Sequence, residues 1–153
     1  MEERTVGIVV AHGELAEALV RAVEGISGVR DALYPISNAD CTPRELRRRV
    51  REAAGGRPAV IFADLASGSC AFASRRAAGG LASASVVTGV SLPMLLDFVF
   101  HRDMDAAALA ERVAGKGRAA TRALEPMDAR GSGSRDDVRA DGDEDPGDGC
   151  RSS

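Results

Sequence analysis

The chain has 153 residues, enough for one domain, and its 44% apolar content suffices for a single core if the elements pack in layers. Aromatic residues make up only 3% and Trp is absent, so that core must be built from Ala, Val, Leu and Ile. The net charge of −3 is uneven: from Pro126 on, eight acids oppose four arginines, leaving −4 on the tail and +1 on the preceding body, and neither part has the basic excess of a nucleic-acid binder.

Thr5 to Ala11 is apolar and mostly β-branched and runs straight into His12-Gly13. From Glu14 the pattern becomes helical, with Leu15, Ala18, Leu19, Ala22 and Val23 at three- and four-residue spacing until Gly25 and Gly28 break it. This stretch reads as a buried strand, a tight turn and an amphipathic helix. Asp31 to Ser37 is a second strand, placed at an edge by Pro35. Thr42-Pro43 opens a helix that continues to Ala54, with Leu46 and Val50 facing inward. Its five arginines form a basic outer face, either a solvated surface or a docking face for an acidic partner.

Gly55-Gly56 ends that helix, and Pro58 to Ala63 is a second fully apolar run, read as a central strand beside the first. It delivers Asp64 to the carboxyl edge of the sheet. A small-residue loop follows, then a helix from Cys70 to Ala78, a fourth strand from Ala84 to Val90, and a helix started by Ser91-Leu92-Pro93. A last helix runs from Asp105 to Val113 or a little beyond, and Lys116 to Leu124 reads as either a helix end or one more edge strand. The fold class expected is therefore α/β, a three-layer sandwich with a mostly parallel sheet of four to five strands and helices on both faces. Residues 1–125 form the domain. Residues 126–153 are dense in Gly, Ser and Asp, have Val138 as their only branched aliphatic residue, and are expected to be disordered.

Cys41, Cys70 and Cys150 are odd in number and far apart, which fits reduced thiols in the cytoplasm better than a disulfide framework. The start, MEERTV, is not the basic region of a signal peptide, and Gly89, Pro93 and Asp97 divide the longest apolar zone, so no membrane span is read. No metal and no organic cofactor is expected.

With the first, third and fourth strands as parallel neighbours, His12, Asp64, the Ser67-Gly68-Ser69 loop and the Val90-Ser91 turn share one edge, where ligands of open α/β sheets collect. A carboxylate beside a histidine accepts one ring N–H, fixes the tautomer and leaves the other nitrogen as a nucleophile. A Gly-Ser loop at a helix N-terminus offers N–H groups and hydroxyls to phosphoryl oxygens. His12 and Asp64 are the candidate catalytic pair, and Gly13, Ser67, Gly68 and Ser69 the candidate phosphoryl-binding residues. Each has a structural reading as well: His12 as a strand-end residue, Asp64 as a helix cap, the serines as turn formers. Cys70 is either a small buried residue or a thiol activated by the helix end. His101 is read as structural, near a helix end.

The segments VAHGELAEALV, DLASGSCAFASRR and TGVSLPMLLDFVFHRD, in that order, resemble the mannose-class enzyme IIA domains of the bacterial phosphoenolpyruvate-dependent sugar phosphotransferase system (PTS), across residues 4 to 124. The resemblance implies that His12 receives a phosphoryl group from the carrier HPr and passes it to an enzyme IIB partner, that Asp64 orients His12, and that Ser69 helps hold the phosphoryl group. It also implies a five-stranded cytoplasmic domain, usually a homodimer, whose antiparallel fifth strand can be exchanged between subunits and which meets the membrane only through permease subunits. The family's loop usually reads Asp-x-x-Gly-Gly-Ser-Pro-x-Asn. Here Ser67 replaces the first Gly, Cys70 the Pro and Phe72 the Asn, which alters the part of the loop that faces partners. No IIB domain is read after the body, so any IIB is expected to be a separate protein. A regulatory module acting by phosphorylation-dependent binding is one alternative. The phosphoryl-donor subunit of dihydroxyacetone kinase and a non-catalytic flavodoxin-like binding domain are others.

Overall fold

The protein is described from a computed structural model covering residues 3–129. Strand β1 (Val6–Ala11) leads into helix α1 (Leu15–Ser27), followed by β2 (Leu33–Ser37), α2 (Pro43–Ala54), β3 (Ala59–Ala63), α3 (Ser69–Ala78), β4 (Ala84–Thr88), α4 (Leu92–Val99) and α5 (Ala106–Ala120). The four strands form one parallel sheet in the order β2-β1-β3-β4, so the two fully apolar runs are its centre and the Pro35-containing strand is an edge. Gly7 pairs with Leu33 on one side of β1 and with Val60 on the other.

Alternation along the strands divides the core between the two faces of the sheet. Val9, Ala11, Val60 and Phe62 face α1, α4 and α5, where they meet Val20, Val23, Leu95, Phe98, Leu109 and Val113. Phe62 and Phe98 pack edge to face with ring centroids 5.4 Å apart. Ile8, Val10, Ala59 and Ile61 face α2 and α3, against Leu46, Val50, Ala73 and Ala77. The result is the three-layer α/β sandwich that the alternation of elements predicts.

Local chemistry sets the boundaries. Thr42 caps α2 by accepting the Glu45 N–H at 3.2 Å, and Asp105 caps α5 by accepting the Ala108 N–H at 2.9 Å. Helix α1 runs through Gly25 and stops at Gly28, which turns left-handed (φ +73°) and returns its N–H to Glu24 O at 2.9 Å. Strand β2 begins two residues later than the pattern suggests because Asp31 has φ +59°, outside the extended region. Gly89, at φ +69°, ends β4 before Val90.

Of the two readings of Lys116 to Leu124, the helical one holds as far as Ala120. The buried face of α5 continues in step from Leu109 through Val113 to Gly117, where Met94 packs directly against the helix backbone. Residues 121–128 form neither helix nor strand, so the sheet has four strands among the described residues and the antiparallel fifth strand is not among them. The compact α/β unit ends at Arg122. The disorder expected beyond Pro126 falls largely on residues outside those described.

Candidate functional site

The parallel order β1-β3-β4 brings the ends of three strands to one edge, as the sequence suggests. His12 follows the last residue of β1, and Asp64 follows the last residue of the adjacent β3. The sheet ladder extends to hold them: the Asp64 N–H donates to Val10 O at 3.3 Å. The Asp64 carboxylate then accepts twice from His12, from the backbone N–H at 3.0 Å and from the ring at Nδ1, 2.7 Å away. The Leu65 N–H donates to the other carboxylate oxygen at 3.0 Å. Burial alone would raise the Asp64 pKa. The His12 backbone bond, the His12 ring bond, the His12 charge and the Leu65 N–H outweigh burial and hold the carboxyl below its ordinary value.

An ionised carboxylate only accepts, so the geometry assigns the ring proton to Nδ1 and leaves the lone pair on Nε2. The Asp64 side chain is 9% exposed and that of His12 48%, so the anchor is sheltered while the imidazole stands open to solvent.

The His12-Gly13 turn is tied down from a third strand. Gly13 sits at φ +58°; its N–H donates to Asn38 Oδ1 at 3.3 Å, and its carbonyl accepts the Ser37 hydroxyl at 2.7 Å. Neither Ser37 nor Asn38 stands out in the sequence. Their role depends on the register that sets Ala11 beside Ser37, which could be suspected only after β2 had been placed next to β1.

Ser67, Gly68 and Ser69 form the exposed approach to α3, with Gly68 at its N-cap and Ser69 as its first residue. Gly68 has φ +95° and ψ −173°, a conformation essentially reserved for glycine. The first backbone N–H of the helix to find a carbonyl is that of Phe72, bonded to Gly68 O at 3.0 Å. The N–H groups of Ser69, Cys70 and Ala71 therefore have no acceptor within the helix and mark its positive end. Cys70 Sγ lies 3.8 Å from His12 Nδ1, which puts the start of α3 within reach of the histidine. The Cys70 thiol is fully buried, and its pKa is pushed up by that burial and by the Asp64 charge, against a smaller opposing effect of a Ser69 hydrogen bond. Of its two readings, that of a small buried residue fits. His12, Asp64 and Cys70 together offer three donor atoms within 4.8 Å of one another.

Ser91 caps α4 at the same edge by its extended backbone, and its buried hydroxyl has no partner among the described residues. Three large apolar side chains also stand exposed there: Leu15 at the start of α1, Leu65 after Asp64, and Phe72 in α3. His101 is away from this group. Its Nδ1–H donates to Asp97 O at 2.7 Å at the end of α4, while the Asp97 carboxylate accepts from Arg112 of α5 at 2.8 and 3.1 Å and ties the two helices together. On the basic face of α2, Arg48 and Arg49 pair with Glu45 and Glu52, whereas Arg47 and Arg51 line a hollow with Arg75 and Arg76.

The fold is shared with solved structures. EIIA from Streptococcus agalactiae, described as a phosphotransferase system component, superposes with a TM-score of 0.72 at 20% identity, over 78% of this chain and 96% of that one. The mannose/sorbose-specific IIA subunit from Enterococcus faecalis gives 0.71 at 20% identity, over 82% and 98%. A sigma-54 interaction domain protein from Enterococcus faecalis gives 0.65 at 10% identity, over 78% and 94%. No curated relative matches the sequence significantly.

A doubly wound parallel sheet with a histidine and a carboxylate at its switch edge defines the class. Within it, residues 7–114 match the EIIA-man family, described as PTS system fructose IIA component, and the chain belongs to that family. No helix among the described residues is long and apolar enough to cross a membrane.

Proposed function

We propose that the chain is a cytoplasmic phosphohistidine carrier of the sugar phosphotransferase system, which accepts a phosphoryl group from phospho-HPr on His12 and passes it to an enzyme IIB. The observation that carries the reading is the 2.7 Å contact between His12 Nδ1 and Asp64 Oδ2 on a ring that remains half exposed. With the proton held at Nδ1, Nε2 attacks the incoming phosphorus in line with the donor nitrogen. The bond from phosphorus to Nε2 forms as the bond to the donor nitrogen breaks. Asp64 stabilises the positive charge that develops on the imidazole. The equatorial oxygens face the N–H groups at the start of α3, the Gly13 turn, and the hydroxyls of Ser67 and Ser69. Transfer onward to IIB reverses these roles.

An open imidazole, with Leu15, Leu65 and Phe72 exposed on the segments that follow His12 and Asp64, suits a protein donor better than an enclosed small molecule, because exposed apolar side chains favour docking of another surface. The test is intact-mass spectrometry of the purified chain after incubation with phosphoenolpyruvate, enzyme I and HPr, beside His12→Ala. An acid-labile phosphate on the wild type alone is the expected result. No phosphate on either protein would remove the carrier reading and the phosphorylation-dependent module with it, and leave the non-catalytic binding domain, for which the exposed Phe72 would then be the docking residue.

A further inference from the structure

We propose that His12, Asp64 and Cys70 form a binding site for a thiophilic divalent cation, with Zn²⁺ as the best match, and that metal and phosphoryl group exclude each other at His12. Imidazole nitrogen, carboxylate oxygen and thiolate sulfur are the three donor types that zinc uses. His12 Nδ1 is 2.7 Å from Asp64 Oδ2 and 3.8 Å from Cys70 Sγ, and the three donors lie within 4.8 Å of one another. Tetrahedral zinc bonds of roughly 2.0–2.3 Å set donors about 3.3–3.8 Å apart, so the Nδ1–Sγ edge already fits and the Nδ1–Oδ2 hydrogen bond opens as the metal replaces its proton. Three protein donors at a solvent-facing edge leave the fourth tetrahedral position to water or another ligand.

The electrostatics also favour a cation. A thiolate at Cys70 and the carboxylate of Asp64 repel each other in a sheltered place, and a dication between them turns that repulsion into shared attraction. The donors stand at the ends of regular elements: directly after β1, directly after β3 and in the first turn of α3. The donors are 52 and 6 residues apart in sequence, so no ligand-spacing motif announces them.

The proton balance explains the exclusion. When the metal takes Nδ1, the ring proton leaves that atom and is taken up at Nε2, and the Cys70 thiol releases its proton to solvent. The nitrogen that would receive the phosphoryl group then carries a proton and has no lone pair to offer. This second half of the inference rests on the carrier reading, whereas the metal site does not.

The test uses the full, reduced chain with Co²⁺ as a spectroscopic substitute for Zn²⁺. The wild type should show a thiolate-to-cobalt charge-transfer band in the near ultraviolet that added Zn²⁺ abolishes. The band should persist when Cys41 and Cys150 are both changed to Ser and disappear in Cys70→Ala and Cys70→Ser, two replacements of which Ser keeps the size of the side chain. Competition with a chelator should show Zn²⁺ affinity falling by more than about tenfold in the same two variants. Absence of the band from the wild type, or its survival in Cys70→Ala, would overturn the site. For the exclusion, Zn²⁺ should suppress the acid-labile phosphate on the wild type more than on Cys70→Ala, each measured against its own metal-free level. Equal suppression would overturn the exclusion while leaving the cobalt result intact, and a wild type that takes no phosphate without metal would instead count against the carrier reading.

Discussion

Asp64 Oδ2 accepts from both the backbone N–H and the ring of His12, at 3.0 and 2.7 Å, so one carboxylate oxygen fixes the residue's place in the chain and the tautomer of its side chain. Asp64→Asn keeps the size of the group but removes its charge and puts an NH2 in place of one of the two oxygens that accept from His12 and Leu65. Phosphoryl acceptance should slow by roughly 10- to 100-fold, with the circular-dichroism spectrum unchanged. Quenched-flow phosphorylation followed by mass spectrometry would measure this, and a wild-type rate would remove the orienting role.

The same carboxylate makes stability depend on pH. Its folded-state pKa lies below the ordinary value, so the native state binds the carboxylate form more favourably than the unfolded chain does. That contribution is fully present above the ordinary carboxylate range and is lost as pH falls through it toward the lowered folded value. In urea titrations from pH 7 to pH 3, the wild-type midpoint should fall more steeply than that of Asp64→Asn. Parallel profiles would mean that the bonds to His12 do not favour the charged form.

The pair was legible in the sequence because two fully apolar runs, Val6–Ala11 and Ala59–Ala63, are each followed at once by a titratable residue. Buried parallel strands end where polarity begins, so the strand pattern located the site. What was not legible depends on contacts between distant segments. Ser37 and Asn38 reach the His12 turn only through the register of β2, and Cys70 nears His12 only because α3 starts close to the sheet. Lys116 to Leu124 was ambiguous for another reason. Its Lys, Arg and Ala favour a helix and Gly117 opposes one, and packing of Met94 on Gly117 helps decide for the helix.

Gly68 carries a strain prediction that is free of steric complications. A Cβ there meets nothing within 4 Å, so Gly68→Ala costs only backbone conformation, about 1–3 kcal/mol at φ +95°. Guanidinium titration should register that loss. Because the residue opens α3 beside His12, phosphoryl acceptance should fall as well, and unchanged stability would show that the loop relaxes to another conformation at no cost.

Gly7 makes a contrasting case, remote from the chemistry and sterically closed. A Cβ on this residue would collide with Leu33 and come within 2.8 Å of Phe98 Cε1. Gly7→Ala should therefore overpack the core between β1, β2 and α4 and cost about 1–3 kcal/mol, while folded protein still accepts phosphate on His12 at close to the wild-type rate. A melting temperature equal to that of the wild type would mean that Leu33 and Phe98 can move aside freely.

Ser37→Ala tests the support of the turn. The Ser37 hydroxyl donates to Gly13 O at 2.7 Å and accepts the Ala39 N–H at 3.1 Å, so its loss frees both the His12-Gly13 turn and the end of β2. The hydroxyl is exposed and water can replace it, so the stability cost should be small, about 0.5–1.5 kcal/mol. The larger effect belongs to the chemistry. His12 keeps its bonds to Asp64, but the turn at Gly13, beside the incoming phosphoryl oxygens in the proposed mechanism, is then held only by the bond from its N–H to Asn38. Phosphorylation should slow several-fold, and Ser37→Thr, which retains the hydroxyl, should restore most of the rate. If Ser37→Ala and Ser37→Thr transferred equally well, the tether from β2 would be irrelevant to the turn and Asp64 alone would position His12.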